Sequence, residues 1–274
     1  MLEEYFYPAT LDQATSIFSV KKREGYFPGY FAGGTEIITL GRLNQSEVNI
    51  AIDIKQIPSC NIYQLNEDYL VIGSAISLTD IVEKNYFPLL SEICREIADK
   101  TARNKITVGG NICGEIFYRE AVLPLLLTNS VFVVSSESEM RTEFLMQMFH
   151  KKLALRDGEL FVQSFIEKKY LKQPYVAIKV RQQWDTGYPL ITAAALKMNE
   201  EVRVAFSGLC PFPFRSLEIE RVLNDSSHSK SDRIKWAIEK IPGPILDDVE
   251  GTSDYRLFMF ENILENILGQ LEVL

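Results

Sequence analysis

The sequence predicts an α+β chain. Three observations lead there. A strand-like run passes through a Gly-Gly pair into a helix at Phe31-Ala32-Gly33-Gly34-Thr35-Glu36-Ile37, and a second run of matched chemistry, Ile106-Thr107-Val108-Gly109-Gly110-Asn111-Ile112, lies far downstream. The last third of the chain groups its strand-like runs ahead of its helical ones instead of alternating them, which suits an antiparallel sheet backed by helices. No Gly-x-Gly-x-x-Gly is present, so nothing local argues for a doubly wound nucleotide fold.

The elements follow in order. Thr10 is placed to cap a helix whose apolar residues Leu11, Ala14, Ile17 and Phe18 fall at helical spacing. Tyr30 to Ala32 reads as a short buried strand, Glu36 to Leu43 as a helix, and Val48 to Ile54 as a second strand. A middle block opens with the alternating strand Tyr69 to Ala75, followed by amphipathic helices at Leu78 to Lys84 and Leu89 to Lys100 and then the Gly109-Gly110 turn. Glu120 to Thr128 reads as a helix with Glu120 in its first turn, where a negative charge suits the helix dipole. Val131 to Ser135 and Leu160 to Ile166 are strand-like. The final block offers strands at Tyr175 to Val180, Leu190 to Met198 and Val202 to Gly208, then helices at Leu217 to Leu223, Ser231 to Ile241 and Tyr255 to Leu268. Pro242-Gly243-Pro244 breaks the helical run.

Composition bounds the function. The 274 residues are 46% hydrophobic and 24% charged, an ordinary globular balance. With 29 basic against 37 acidic residues the net charge is −8, which opposes non-specific binding to nucleic acid and to anionic membranes. Met1-Leu2-Glu3-Glu4 lacks the basic start of a signal peptide, and no uninterrupted apolar run approaches roughly 18 residues. The expectation is no membrane span and a cytoplasmic location. Cys60, Cys94, Cys113 and Cys210 are scattered without a Cys-x-x-Cys, and His150 and His228 have no evident partner, so the sequence offers no metal site and no catalytic dyad. Neither Gly-x-Ser-x-Gly nor a phosphate-loop motif occurs. The chemistry must come from a cofactor.

The paired glycines suggest which kind. A Gly-Gly pair lets backbone N–H groups crowd round an anion, because no Cβ obstructs the approach and φ > 0 is accessible. Thr35, Thr107 and Asn111 can add side-chain donors. One such pair is as readily a plain tight turn. Two with matched chemistry suggest a ligand carrying a diphosphate.

Collinear motifs extend this reading. Tyr7-Pro8-Ala9-Thr10-Leu11-Asp12-Gln13-Ala14, Ala32-Gly33-Gly34-Thr35 and Asp53-Ile54-x-x-Ile57-Pro58 are followed by Ile72-Gly73-Ser74-Ala75, Pro88-Leu89-Leu90 and Arg103-Asn104-x-x-Thr107-Val108-Gly109-Gly110-Asn111-Ile112. Further on come Lys179 with Arg181, Pro189-Leu190-Ile191-Thr192-Ala193-Ala194-Ala195, and Phe206-Ser207-Gly208-Leu209-x-Pro211-x-Pro213. In this order the chain resembles, over nearly its whole length, the FAD-binding medium subunit of the xanthine dehydrogenase and carbon monoxide dehydrogenase (molybdenum hydroxylase) family. The resemblance implies a two-subdomain FAD-binding fold of the p-cresol methylhydroxylase type. Its subdomains would be residues 1–58 and 59–166, followed by a C-terminal α+β domain over 167–274.

The same resemblance assigns roles. Tyr30, Phe31, Ala32, Gly33, Gly34, Thr35, Glu36 and Ile37 would wrap the FAD pyrophosphate. Thr107, Val108, Gly109, Gly110 and Asn111 would hold the other side of the diphosphate and the ribityl chain. Arg119-Glu120 stands where relatives carry Ser-Asp, so Glu120 would reach the cofactor's polyol with a longer arm, or else be a plain glutamate at a helix start. Ile97 falls where relatives place an apolar or aromatic residue near the isoalloxazine ring, although an isoleucine on a helix is equally core. Lys179 matches a lysine beside the flavin, or snorkels on an edge strand. Gln182-Gln183-Trp184-Asp185-Thr186-Gly187 occupies a region where relatives have paired arginines controlling access to the flavin, and Trp184 would cover the ring or simply pack.

The implied function is electron transfer. Electrons from a large molybdenum-cofactor subunit would pass through a small iron–sulfur subunit to FAD on this chain, and on to NAD or another acceptor, with no protein acid or base required. Two other readings fit part of the sequence: a self-contained flavoprotein oxidoreductase, and a flavin-free assembly subunit suggested by Arg119-Glu120 and Gln182-Gln183.

Overall fold

The computed structural model describes residues 2–182 and 187–272. In chain order the first elements are β1 (Glu4–Phe6), α1 (Leu11–Arg23), β2 (Pro28–Phe31), α2 (Thr35–Arg42) and β3 (Ile50–Asp53). Next come β4 (Tyr63–Leu65), β5 (Tyr69–Gly73), α3 (Leu78–Lys84), α4 (Pro88–Arg95), α5 (Lys100–Arg103), α6 (Val108–Cys113) and α7 (Val122–Leu127). Then follow β6 (Val131–Ser135), β7 (Met140–Phe144), α8 (Leu145–Met148), β8 (Phe149–His150), β9 (Lys152–Leu153) and β10 (Leu160–Glu167). The chain continues through β11 (Tyr175–Val180), β12 (Ile191–Met198), β13 (Glu201–Cys210), β14 (Phe212–Arg215), α9 (Leu217–Leu223), α10 (Lys230–Ile238) and α11 (Ser253–Leu271). The chain divides into two compact units. The first comprises Met1–Lys84, Lys100–Gly114 and Ser130–Glu167, the second Asn85–Asp99, Glu115–Asn129 and Lys168–Leu274.

In the first unit a three-stranded parallel sheet has the order β1-β3-β2. Its central strand, Ile50-Ala51-Ile52-Asp53, is buried throughout, as the middle of a parallel sheet covered on both faces must be. Helix α1 begins where Thr10 accepts a hydrogen bond from the Gln13 N–H, and it turns Ala14, Thr15 and Phe18 inward. Ala14, Phe18, Ile50, Ile52 and Ile54 share a core with Val133, Leu160 and Val162, which come from the second sheet. That sheet is antiparallel, in the order β4-β5-β10-β6-β7.

The second unit is built on the antiparallel sheet β11-β12-β13-β14. All eight residues of β12, Ile191-Thr192-Ala193-Ala194-Ala195-Leu196-Lys197-Met198, are buried. Successive Cβ atoms point to opposite faces, so both faces of this strand are covered. Helices α7 and α11 pack on the sheet, and the three alanines let them approach closely. Arg256 of α11 is fully buried and donates to the carbonyls of Leu190 and Gly208 and to the Asp248 carboxylate. One guanidinium thereby ties the start of β12, β13 and the loop before α11 together.

Four sequence expectations are corrected. The helix expected over Leu89 to Lys100 ends at Arg95, and only Lys100 belongs to the next helix, α5; between them Ala98 adopts a left-handed backbone (φ 49°) that no α-helix continues through. The helix expected from Glu120 begins at Val122; Arg119 is left-handed (φ 38°), and Glu120 therefore precedes the helix instead of sitting in its first turn. Gly109 and Gly110 lie inside helix α6 and are not a turn. Strands β1, β4, β7, β8, β9 and β14 are not among those expected. β14 contains Pro213, which is compatible with its place at the sheet edge.

Candidate functional site

The first glycine motif joins β2 to α2. The strand ends at Phe31, and Gly34 forms the N-cap of α2 in the left-handed region at φ 70°. It brings no side-chain cap. Among the described residues, the N–H groups of Gly33, Gly34 and Thr35 meet no acceptor, whereas further along Ile38 N–H bonds to Gly34 O at 2.9 Å. Unsatisfied N–H groups at the start of a helix are the ordinary chemistry of an anion site.

The second motif is put together differently. The Thr107 hydroxyl caps α6, accepting from Gly110 N–H at 3.0 Å. Val108 N–H donates to Ile76 O, Gly109 N–H to Ser74 O and Asn111 N–H to Thr107 O, at 2.8–2.9 Å. The backbone N–H groups of this motif are thus engaged within the protein, and the Thr107 hydroxyl hydrogen is left to donate outward. Gly109 is glycine for a packing reason: a Cβ there would lie 2.6 Å from Ser74 Cβ and 2.7 Å from Ser74 O. Gly110 differs, since an added Cβ would meet only Thr107 Oγ1, at 3.0 Å. Its Cβ side is otherwise open and exposed.

The fold brings the two motifs together within the first unit. A Cβ on Gly33 would overlap the carbonyl oxygen of Lys105, with Ile106 Cα 3.4 Å away. The Glu36 carboxylate lies against Gly114, at the end of α6. The uncapped helix start and the Gly110 segment therefore border one another, and the open N–H groups of Gly33, Gly34 and Thr35 fit a diphosphate-bearing cofactor. At the same place Lys55 donates to Ala32 O at 2.9 Å and pairs with the buried Asp53 carboxylate at 2.7 Å. The sequence assigns Lys55 no role, although it is the first unspecified position of Asp53-Ile54-x-x-Ile57-Pro58.

In the second unit Glu120 and Lys179 meet. The ammonium lies 2.9 Å from Glu120 Oε1 and donates to Glu96 O at 2.7 Å, and Thr192 donates to Glu120 Oε1 at 2.5 Å. Both side chains are about 6% exposed. Lys179 thus does not snorkel, and the Glu120 carboxylate is neutralised from within its own unit. Arg181, two residues on along the chain, pairs with the Glu96 side chain. Ile97 is buried just past the end of α4. Gln182 and Gly187 are described, but Gln183, Trp184, Asp185 and Thr186 lie outside the described residues.

The remaining candidates are quiet. Cys60, Cys94 and Cys210 are buried, and burial pushes the Cys60 thiol up to about 11. Among the described residues no group of three or more His, Cys, Asp or Glu side chains is arranged to hold a metal ion, and no helix is long and apolar enough to cross a membrane.

Residues 1–166 match the family described as the FAD binding domain in molybdopterin dehydrogenase. The chain belongs to that family. FAD is therefore its cofactor, and the protein is a flavin-binding component of an oxidoreductase. It is 28% identical over 244 residues to the glyceraldehyde dehydrogenase medium chain of Sulfolobus acidocaldarius, spanning 82% of this chain and 84% of that one. It is 23% identical over 260 residues to the xanthine dehydrogenase FAD-binding subunit of Escherichia coli O157:H7, spanning 87% of each. Among solved structures it superposes on a chain of the carbon monoxide dehydrogenase from Hydrogenophaga pseudoflava with a TM-score of 0.87 at 19% identity, covering 100% of this chain and 98% of that one. This last likeness bears on the fold, and the α+β expectation holds.

Proposed function

We propose that this member of the family is the FAD-binding electron-transfer subunit of a molybdenum hydroxylase. It would act in the cytoplasm beside a large molybdenum-cofactor subunit and a small iron–sulfur subunit, and pass electrons to NAD or another acceptor. The observation that carries the reading is the meeting of the two glycine motifs, with open N–H groups on one side and an unfilled Cβ position on the other. When bound, FAD supplies the capacity to exchange electrons singly or in pairs.

The protein's own task is then binding and positioning. Tyr30 to Ile37 holds the diphosphate through Gly33, Gly34 and Thr35 N–H, at the positive end of α2. Thr107 to Asn111 borders it, with Gly110 leaving room and the Thr107 hydroxyl, whose oxygen already accepts from Gly110, still able to donate. Ile97, Glu120 and Lys179 belong to the same proposal; the carboxylate and ammonium enter it as a neutral pair, so neither brings an uncompensated charge. The division into 1–58, 59–166 and 167–274 is likewise part of the proposal, supported by one principal sheet in each block, although residues 85–99 and 115–129 of the middle block cluster with the last one.

The test is flavin content. The purified full chain is incubated with FAD, desalted and denatured, and the released flavin is quantified for wild type and Gly110→Val. Stoichiometric FAD in wild type and none in a folded Gly110→Val chain supports the reading. Equal flavin in both overturns the cradle, and a folded wild-type chain without flavin favours the assembly-subunit alternative. Co-purification with molybdenum and iron–sulfur subunits separates electron transfer from a self-contained flavoprotein.

A further inference from the structure

The peptide joining Ala32 to Gly33 is held from behind. Lys55 donates to its carbonyl oxygen at 2.9 Å, and the same ammonium lies 2.7 Å from Asp53 Oδ2 and 5.0 Å from the centre of the Phe31 ring. Asp53 is only 4% exposed and is fixed by two further donors, Tyr5 Oη at 2.8 Å and the Lys55 N–H at 2.9 Å. Tyr5 in turn packs edge-on against Phe31, with ring centroids 5.3 Å apart. A chain of contacts thus runs from β1, through the end of β3, to the peptide that opens the glycine motif.

The carbonyl and N–H of a trans peptide point in opposite directions. A donor fixed on Ala32 O therefore sets the Gly33 N–H facing away from Lys55, and among the described residues that N–H has no acceptor. A hydrogen bond to the carbonyl also polarises the peptide and strengthens its N–H as a donor. Asp53 neutralises the ammonium, so the effect is carried by the orientation and dipole of the peptide more than by net charge.

We propose that Lys55 is a positioning residue for the diphosphate: held by Asp53, it orients and polarises the Ala32–Gly33 peptide so that the Gly33 N–H is presented to the cofactor. This rests on the reading that Gly33 to Thr35 binds the FAD diphosphate. The role is not interchangeable with general stability, because it predicts a defect confined to ligands carrying phosphate.

Affinities of the full chain for FAD and for riboflavin, which lacks phosphate, are measured by fluorescence titration for wild type, Lys55→Met, Lys55→Arg, the double variant Asp53→Asn/Lys55→Met and Gly110→Val. The double variant avoids stranding a buried carboxylate, so it keeps the test valid should Lys55→Met alone unfold. The expected result is FAD binding about ten-fold weaker in both methionine variants, the loss of one charge-assisted hydrogen bond. Riboflavin binding stays as in wild type, and arginine restores FAD. If the double variant binds FAD like wild type while Gly110→Val does not, the positioning role is overturned and the cradle stands. A parallel loss of riboflavin and FAD also overturns it. If Gly110→Val binds FAD like wild type, the cradle reading itself falls.

Discussion

Removing the charge of Glu120 gives the sharpest test of how the second unit is held. In Glu120→Gln the side chain keeps its length and can still accept from Thr192, but the Lys179 ammonium, about 6% exposed, loses its counter-ion. At a separation of 2.9 Å the gross attraction is about 6 kcal/mol for an effective dielectric constant of about 20. Desolvation of both groups offsets much of that in the native pair, whereas stranding one charge leaves its burial cost uncompensated, typically about 3–5 kcal/mol. Glu120→Gln is therefore expected to cost about 3–5 kcal/mol, and adding Lys179→Met to recover at least about 2 kcal/mol of it. Urea unfolding of wild type, both single variants and the double variant closes the cycle. A loss below about 1 kcal/mol in Glu120→Gln, or additive single effects, would refute the buried pair.

Further predictions follow from named contacts. Gly33→Ala and Gly41→Ala have opposite signs: the first drives a Cβ into the Lys105 carbonyl and destabilises, while the second meets nothing within 4 Å in the last turn of α2 and stabilises by up to about 1 kcal/mol. Gly41 stands in the last turn of α2, so its gain falls in the lower part of that range, and thermal melts of the two variants read the opposite signs directly. Hydrogen bonding to Arg141 and to the Arg156 N–H holds the Glu159 carboxyl below the usual range against the opposing effect of burial. Its folded pKa is depressed, so its contribution is complete above the unfolded value of about 4.3 and is lost as pH falls through the folded value. Glu159→Gln should flatten stability measured between about pH 3 and pH 6. Arg256→Leu removes a buried guanidinium from four acceptors and should cost about 3 kcal/mol or more in the same unfolding assay.

What the sequence discloses is mostly local. Thr10 and the spacing of Leu11, Ala14 and Phe18 locate α1, and the β-rich run Tyr175 to Val180 locates β11 to the residue, because capping and periodicity are written in neighbouring positions. Both glycine motifs are visible for the same reason. Their division of labour is not: that Gly109 is needed for contact with Ser74, and Gly110 for open space, depends on a strand end more than thirty positions upstream. Glu120 looked like a helix start because Val122 to Leu127 is strongly helical, yet its partners Lys179 and Thr192 lie 59 and 72 residues away. The three-residue β1 is too short to show a period, and only its pairing with β3 defines it. Left-handed Ala98 and Arg119 break helices whose apolar pattern runs on, a backbone choice that residue type does not announce.

The central claim is that the two glycine motifs form one FAD cradle, and flavin retention by wild type and Gly110→Val tests it most directly. The expected result is stoichiometric FAD in the wild-type chain after desalting and none in a Gly110→Val chain whose circular dichroism and melting are unchanged. Equal flavin in the two would contradict the claim, since a side chain would then occupy the proposed cradle without displacing the cofactor.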